Sequence, residues 1–136
     1  MLTYNGYKAA GDNIDDEKKT SYGICFGLFF CIGLLLMILC VTLMKYAIKR
    51  ERPKRRSDTT RLSDLRAKEA GTYSMPSGDA GAAAVFCLLV SVEMGMHSVW
   101  LLMPLVMLGR VYYQCHWIGD TVVGLIIGAF WASILV

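Results

Sequence analysis

Residues 24 to 44, ICFGLFFCIGLLLMILCVTLM, indicate the fold class of this 136-residue chain. The stretch contains no charged side chain, and at about 1.5 Å per helical residue it would span roughly 30 Å, the thickness of a bilayer core. A cleaved signal peptide is the alternative. The stretch is long for one, however, and it is followed by Lys45 and further basic residues rather than a small-residue cleavage site. We therefore predict a transmembrane helix.

Three further apolar tracts follow, at residues 80–96, 99–113 and 117–136. Pro104 is a predicted kink in the second of them. Buried helices of a soluble protein are the alternative for the shorter tracts, but the first stretch and a hydrophobic content of 55% favour membrane helices. The predicted fold class is all-α, an integral membrane helical bundle with about four transmembrane helices.

The charged residues divide the chain into two parts. Residues 1–21 are polar with charges of both signs, so we expect a flexible or surface segment. Residues 22–136 are expected to form one domain with a basic loop at 45–75, which holds ten of the fourteen lysines and arginines. Taken alone, such a loop indicates a cytoplasmic face or attraction to anionic lipid headgroups.

Small residues in the apolar tracts are interpreted as packing residues. The five cysteines are odd in number and contain no CxxC pair, so neither a disulfide framework nor a zinc site is indicated. Gly124 and Gly128 form a GxxxG pair in the last tract, which predicts a close helix contact.

The ends of the predicted helices place the unusual polar residues on one face of the membrane. If the four helices alternate in direction, the end of the first and the start of the second share a face with the end of the third and the start of the fourth. These ends contain residues 45–53 (KYAIKRERP), 73–80 (YSMPSGDA) and 109–120 (GRVYYQCHWIGD). Glu93 and His97 fall on the other face. We therefore expect the three segments to form one site.

The residue types of the first two segments suit a phosphate group. Lys45 and Arg52 are seven residues apart and would lie two turns along one helix face, with Pro53 ending or bending the helix. Ser77 and Gly78 should stand at a helix start, where free backbone N–H groups bind anions. A phosphate group has about −1.5 to −2 charges and needs several donors.

The third segment adds a charged trio. Arg110, His116 and Asp120 are the only ionisable side chains after His97 apart from tyrosine and cysteine, and charges beside membrane helices are costly and usually functional. His116 and Asp120 are four residues apart, so on a helix the carboxylate could hold the Nδ1 hydrogen of the ring. Each segment alone also has a structural explanation, as a membrane anchor, a helix cap or an interfacial histidine. The three together favour a site.

The three segments resemble the motifs of the type 2 phosphatidic acid phosphatase superfamily, KxxxxxxRP, PSGH and SRxxxxxHxxxD. They stand here as KYAIKRERP (45–53), PSGD (76–79) and GRVYYQCHWIGD (109–120). Two residues depart from the family pattern. Gly109 stands in place of a serine, and Asp79 stands in place of the histidine that protonates the leaving group. The chain also has four predicted spans, where many lipid phosphatases of the family have six.

The resemblance covers roughly residues 22–136 and implies an enzyme. The expected activity is metal-independent and cofactor-independent hydrolysis of a phosphorylated lipid, of the polyprenyl diphosphate or phosphatidic acid type. The expected location is a membrane crossed several times by the chain, with the endoplasmic reticulum and the plasma membrane as candidates. A phosphorylated lipid is the expected partner, and binding to nucleic acid is not expected.

The resemblance also implies roles for individual residues. His116 would attack phosphorus and form a phosphohistidine, while Asp120 would fix its tautomer and stabilise the imidazolium. Asp79 would occupy the position of the catalytic acid. The phosphoryl oxygens would be bound by Lys45, Arg52, Ser77, Gly78 and Arg110.

Two other hypotheses stay open at this stage. Because Asp79 replaces the catalytic histidine, the chain could be an inactive relative that binds phosphorylated lipid or a partner membrane protein. It could also be a small membrane protein whose basic loop docks on anionic lipid. The membrane face of the site is open as well, since positive charge places residues 45–75 in the cytoplasm whereas the family usually places its site on the luminal or outer face.

Overall fold

The computed structural model describes residues 16–54 and 72–135, and every regular element within them is helical. The predicted all-α fold with four helices is therefore confirmed for this part of the chain. Residues 1–15 of the predicted N-terminal segment and residues 55–71 of the predicted basic loop lie outside the described residues. The helices are α1 (Asp16–Ile48), α2 (Gly78–Met94), a 3₁₀ helix (His97–Leu101), α3 (Leu102–Tyr112) and α4 (Ile118–Leu135).

Two of the four α-helices are long and apolar enough to cross a membrane, namely the Gly23–Ile48 part of α1 and the whole of α4, Ile118–Leu135. Helix α2 has 17 residues and α3 has 11. At about 1.5 Å per residue these two helices measure roughly 25 Å and 16 Å, less than a bilayer core of about 30 Å. By length and composition, the structure thus supports two of the four predicted spans.

The apolar tract at residues 99–113 differs most from its predicted form. It begins as the 3₁₀ helix, and the α-helical part starts only at Leu102. Pro104 is the third residue of α3, where a missing N–H removes no hydrogen bond within that helix, so the proline fits into the first turn instead of interrupting the helix.

The closest helix contact is between α2 and α4, and it contains the GxxxG pair for which a close contact was predicted. A Cβ atom on Gly124 would overlap the carbonyl oxygen of Ser77, and one on Gly128 would overlap the carbonyl oxygen of Gly81. Only glycine lets two backbones approach this closely. The contact places the first turn of α4 beside the start of α2, which is where the polar segments meet.

Two buried apolar clusters hold the bundle together. The larger joins α1, α2 and α4, and the smaller joins α2 to α3. The first consists of Met37, Val41, Val85, Leu89 and Ala132, and the second of Ala84, Cys87 and Met103.

Candidate active site

The structure brings the polar helix ends together at one end of the bundle. Lys45 lies in the last turn of α1 and Asp79 in the first turn of α2. Arg110 lies in the last turn of α3 and Asp120 in the first turn of α4. Hydrogen bonds and ion pairs link the segments that contain them, so residues up to 70 positions apart in sequence are in direct contact.

His116 lies in the turn between α3 and α4, and it is 2% exposed. Its backbone N–H donates to the carbonyl oxygen of Arg110 at 3.3 Å. Its ring Nδ1 lies 2.6 Å from the carbonyl oxygen of Ser74. Because a carbonyl oxygen only accepts hydrogen bonds, Nδ1 must hold the hydrogen, and the neutral ring has its lone pair on Nε2. An Nε2 lone pair is what a nucleophilic histidine requires.

The carboxylate of Asp120 is close to this ring but does not hold the Nδ1 hydrogen. Its Oδ2 lies 3.8 Å from Nδ1 of His116 and accepts the backbone N–H of Trp117 at 2.9 Å. Its Oδ1 pairs with Nη1 of Arg50 at 2.9 Å. The prediction that Asp120 holds the Nδ1 hydrogen was therefore wrong. His116 precedes helix α4, so helical spacing does not apply, and the ring bonds to the Ser74 carbonyl instead.

Asp120 also has a structural role in its own helix. Trp117 occupies the position just before α4. The side chain of Asp120, three residues further along the chain, accepts a hydrogen bond from the backbone N–H of Trp117. This is the back-bond of a capping box, in which a carboxylate satisfies a backbone donor at a helix start. The side chain is completely buried, so its two oxygens depend on these protein donors.

Arg52 does not lie on the same helix face as Lys45, contrary to the prediction. Helix α1 ends at Ile48, and Lys49 adopts a left-handed conformation with φ of 53°. The segment that follows, residues 49–54, has no regular secondary structure, and Ser74 bonds to two of its carbonyl groups. The backbone N–H of Ser74 donates to the Arg50 carbonyl at 2.8 Å, and the Ser74 hydroxyl donates to the Glu51 carbonyl at 3.1 Å.

The guanidinium of Arg52 ties three segments together. Its Nε donates to the carbonyl of Thr72 at 3.0 Å, and its Nη2 donates to the Thr72 hydroxyl at 2.7 Å and to the Tyr73 carbonyl at 3.2 Å. Its Nη1 donates to the carbonyl of Cys115 at 2.6 Å. Cys115 directly precedes His116, so Arg52 helps to set the position of the histidine. A phosphate-binding role for Arg52 stays a prediction.

At the predicted anion site at the start of α2, two of the backbone N–H groups already donate to acceptors within the protein. Ser77 is the residue that caps this helix, with its hydroxyl accepting from the N–H of Ala80 at 3.4 Å. The backbone N–H of Ser77 donates to the carbonyl of Asp120 at 2.9 Å. Gly78 is the first residue of the helix and is half-buried. Binding of phosphate by Ser77 and Gly78 stays a prediction.

Asp79 and Arg110 form an ion pair, with Oδ2 and Nε 2.9 Å apart. The Asp79 side chain is 58% exposed and that of Arg110 is 15% exposed. Gly109, where the family motif has a serine, has open space around it, since a Cβ atom there would meet nothing within 4 Å. An acidic group thus stands beside a predicted phosphate-binding arginine.

Two residues of the site were not found from the sequence. Arg50 is one of ten cations in the basic loop, and nothing in its spacing distinguishes it. Ser74 belongs to a quoted segment, but it acts through its backbone carbonyl, which no side-chain pattern reveals. The described residues contain no group of three His, Cys, Asp or Glu side chains that could hold a metal ion. Independence from metal and cofactor stays a prediction.

Across residues 16–54 and 72–135, these features define a helical bundle with a buried histidine and arginine–carboxylate pairs at one end. Comparison with protein-family models identifies the family, because residues 26–136 match the PAP2 superfamily. The match covers most of the chain, so the protein belongs to this superfamily. Its members are phosphatases, and the chain is thus placed among proteins that act on phosphorylated substrates. Comparisons with curated proteins and with solved structures gave no match.

Proposed function

We propose that the protein is an integral-membrane phosphohydrolase that removes a phosphoryl group from a phosphorylated lipid through a phosphohistidine at His116. The observation that supports this most directly is the 2.6 Å contact between Nδ1 of His116 and the carbonyl of Ser74. It leaves the lone pair on Nε2, the atom that has to attack phosphorus. A histidine held in this tautomer suits nucleophilic catalysis.

The proposed reaction has two steps. In the first, Nε2 of His116 attacks phosphorus, and the bond between phosphorus and the leaving oxygen breaks with its electron pair on that oxygen. The ring becomes positively charged, and the Asp120 carboxylate at 3.8 Å stabilises that charge. In the second step, water attacks the phosphohistidine and releases inorganic phosphate, which returns the lone pair to Nε2.

The cations of the site would neutralise the oxygens of the phosphoryl group during both steps. Arg110 and Lys45 lie at helix ends that face the same end of the bundle as His116. Arg52 adjoins the residue before the histidine. An incoming phosphate would share Arg110 with Asp79 or displace that carboxylate, which is more than half exposed. Fixed positive groups around developing charge are a large source of rate enhancement.

The outer surface of the bundle supports a membrane setting. Large apolar side chains point outward along α1, where Leu35 is 67% exposed and Leu43 is 63% exposed. The same holds near α3, where Leu101 is 77% exposed and Leu105 is 68% exposed. Water would solvate such a surface poorly, whereas lipid chains would cover it. We propose a multi-pass membrane protein whose site meets lipid headgroups at the helix ends.

Asp79 favours a diphosphate ester as the substrate within this class. A monophosphate has to expel an alkoxide, which needs a proton from a general acid. A diphosphate attacked at its terminal phosphorus expels a phosphate monoester, which leaves without protonation because its second pKa is about 6. The Asp79 carboxylate is held in an ion pair with Arg110 at 2.9 Å, so Asp79 would be a poor substitute for the histidine acid. We therefore favour a polyprenyl diphosphate type of lipid over a phosphatidic acid.

The test is phosphate release by the purified protein in detergent with a chelator present. Matched lipid monophosphates and diphosphates are supplied, and a His116→Ala variant serves as the control. We expect the wild type to release phosphate from the diphosphate, and the alanine variant to release none. No release from either class by a folded wild-type protein would contradict the proposal.

The replacement of the family's histidine acid by Asp79 also supports a second candidate function. A site without that acid suits a protein that binds phosphorylated lipid through its cations without turning it over. This candidate predicts binding to vesicles containing a lipid phosphate, a loss of binding in Arg110→Gln, and no phosphate release. The same detergent assay separates the two candidates.

A further inference from the structure

Arg50 contacts both groups that surround the Nδ1 atom of His116. Its backbone carbonyl accepts the N–H of Ser74 at 2.8 Å, and the carbonyl of Ser74 in turn accepts the Nδ1 hydrogen at 2.6 Å. Its Nη1 pairs with Oδ1 of Asp120 at 2.9 Å, and the other oxygen of that carboxylate lies 3.8 Å from Nδ1. One residue therefore anchors the acceptor of the ring hydrogen and the nearest negative charge.

The side chain of Arg50 is itself held in place. Its guanidinium carbon lies 5.8 Å from the centre of the Trp117 ring, a cation–π arrangement. Its Nη1 also lies 3.8 Å from the sulfur of Met75. The indole N–H of Trp117 donates to the carbonyl of Glu51 at 3.1 Å, which fixes the ring against the segment that contains Arg50.

We infer that Arg50 is a positioning residue of the phosphoryl-transfer site, which sets the tautomer and the charge of His116 through Ser74 and Asp120. The inference rests on the proposed nucleophilic role of His116. Arg50 lies outside the residues that the KxxxxxxRP pattern specifies, and its contacts with Ser74 and Asp120 assign this role.

The charges around His116 explain how Arg50 would affect the protonation of the imidazole ring. Asp120 is completely buried, and a buried carboxylate attracts a proton to a neighbouring imidazole unless a cation balances it. Arg50 supplies that balance. Without it, the carboxylate charge would act on the ring alone, more of the ring would be protonated at neutral pH, and the Nε2 lone pair would be lost. The other charged groups nearby are Arg52, on the carbonyl of Cys115, and Arg110, paired with Asp79.

The chain has only two histidines, which allows a direct measurement. In a His97→Gln background, the protein labelled with ¹⁵N-histidine shows His116 alone, and its tautomer and titration are followed by NMR in detergent micelles. We expect the neutral ring to hold its hydrogen on Nδ1. Arg50→Gln should raise the midpoint of the titration by about one pH unit. Lys49→Gln removes the adjacent exposed cation and should leave the midpoint unchanged.

An Nε2–H tautomer in the reference protein would overturn the inference, as would a midpoint that moves no more in Arg50→Gln than in Lys49→Gln. If Arg50→Gln does not fold, Arg50→Lys provides the same test, because a shorter point charge balances the carboxylate less well and should raise the midpoint by a smaller amount. No shift in Arg50→Lys would then contradict the inference. The titration needs no turnover, so a shift without any phosphatase activity would support the role of Arg50 and contradict the proposed function.

Discussion

Nε of Arg110, at the end of α3, lies 2.9 Å from Oδ2 of Asp79, at the start of α2. The contact places a carboxylate where the family motif has a histidine acid. A carboxylate in an ion pair with a guanidinium is a poor substitute for a histidine acid, and its charge opposes an incoming phosphate. The pair therefore bears on which leaving group the site can expel.

Replacing Asp79 by histidine should change the substrate preference. A monophosphate expels an alkoxide, a strong base whose conjugate acid is about as weak an acid as water. A positioned general acid typically contributes about 10²–10⁴-fold to such a step. We expect Asp79→His to raise kcat/KM for lipid monophosphates by about 10²-fold or more, and to change kcat/KM for matched diphosphates far less.

Asp79→Asn is the matched control for this prediction, because it removes the charge without supplying an acid. It should change kcat/KM for both substrate classes by a similar factor. The idea is wrong if the natural protein hydrolyses monophosphates as well as it hydrolyses diphosphates.

Replacing Arg52 by lysine should cost both activity and stability. The guanidinium donates to Thr72, Tyr73 and Cys115, and a lysine cannot reproduce that fork. Each lost hydrogen bond to a charged group is worth about 1.5–3 kcal/mol. We expect kcat/KM to fall at least about tenfold, equivalent to about 1.4 kcal/mol, because the turn before His116 loosens. Phosphate release and thermal unfolding in detergent measure the two effects.

The control for Arg52 is Lys54→Gln, which removes an exposed cation two residues further along. Arg55 and Arg56 are also outside the motif, and neutralising them should matter as little. Similar losses from Arg52→Lys and from these neutralised cations would favour generic docking of the basic loop on anionic lipid.

Replacing the glycines of the α2–α4 contact should destabilise the bundle. A Cβ atom on Gly124 or Gly128 would overlap a carbonyl oxygen of α2 or its cap, so the helices would have to separate. Overpacking of this kind typically costs about 1–3 kcal/mol. We expect Gly124→Ala and Gly128→Ala to lower the Tm in detergent and to reduce phosphate release.

Gly27→Ala is the matched control, because a Cβ atom on Gly27 meets nothing within 4 Å. An alanine in the middle of a helix is favoured over glycine by about 0.5–1 kcal/mol, so this variant should be as stable as the wild type or more so. Equal stability of Gly27→Ala and Gly128→Ala would show that the close contact is not needed.

The helices and the meeting of their ends could be predicted from the sequence because long apolar runs determine both. A long apolar run such as residues 24–44 favours a helix, and alternation in the direction of successive helices places their polar ends on one side of the bundle. The GxxxG pair likewise predicted a close contact of the last helix, since the absence of a Cβ atom is visible in the sequence itself, but it did not identify α2 as the partner helix.

The contacts inside the site could not be predicted, because backbone groups make many of them. The carbonyl of Ser74 takes the Nδ1 hydrogen that the spacing of His116 and Asp120 assigned to the carboxylate. Arg52 lies outside the helix, which ends at Ile48, and Ser74 and Trp117 bond to the carbonyl groups of Arg50 and Glu51. Side-chain patterns do not show which carbonyl a donor will find, and they did not distinguish Arg50 from nine neighbouring cations.

The covalent intermediate is the central claim, and its direct test is rapid-quench trapping with a lipid diphosphate labelled at the terminal phosphorus. The reaction is stopped in alkaline denaturant, where a phosphohistidine survives, and the label on the protein is counted before and after acid treatment. We expect the wild type and His97→Ala to retain label that acid removes, and folded His116→Ala to retain none and to release no phosphate. Label on His116→Ala, or substantial phosphate release by it, would contradict the account.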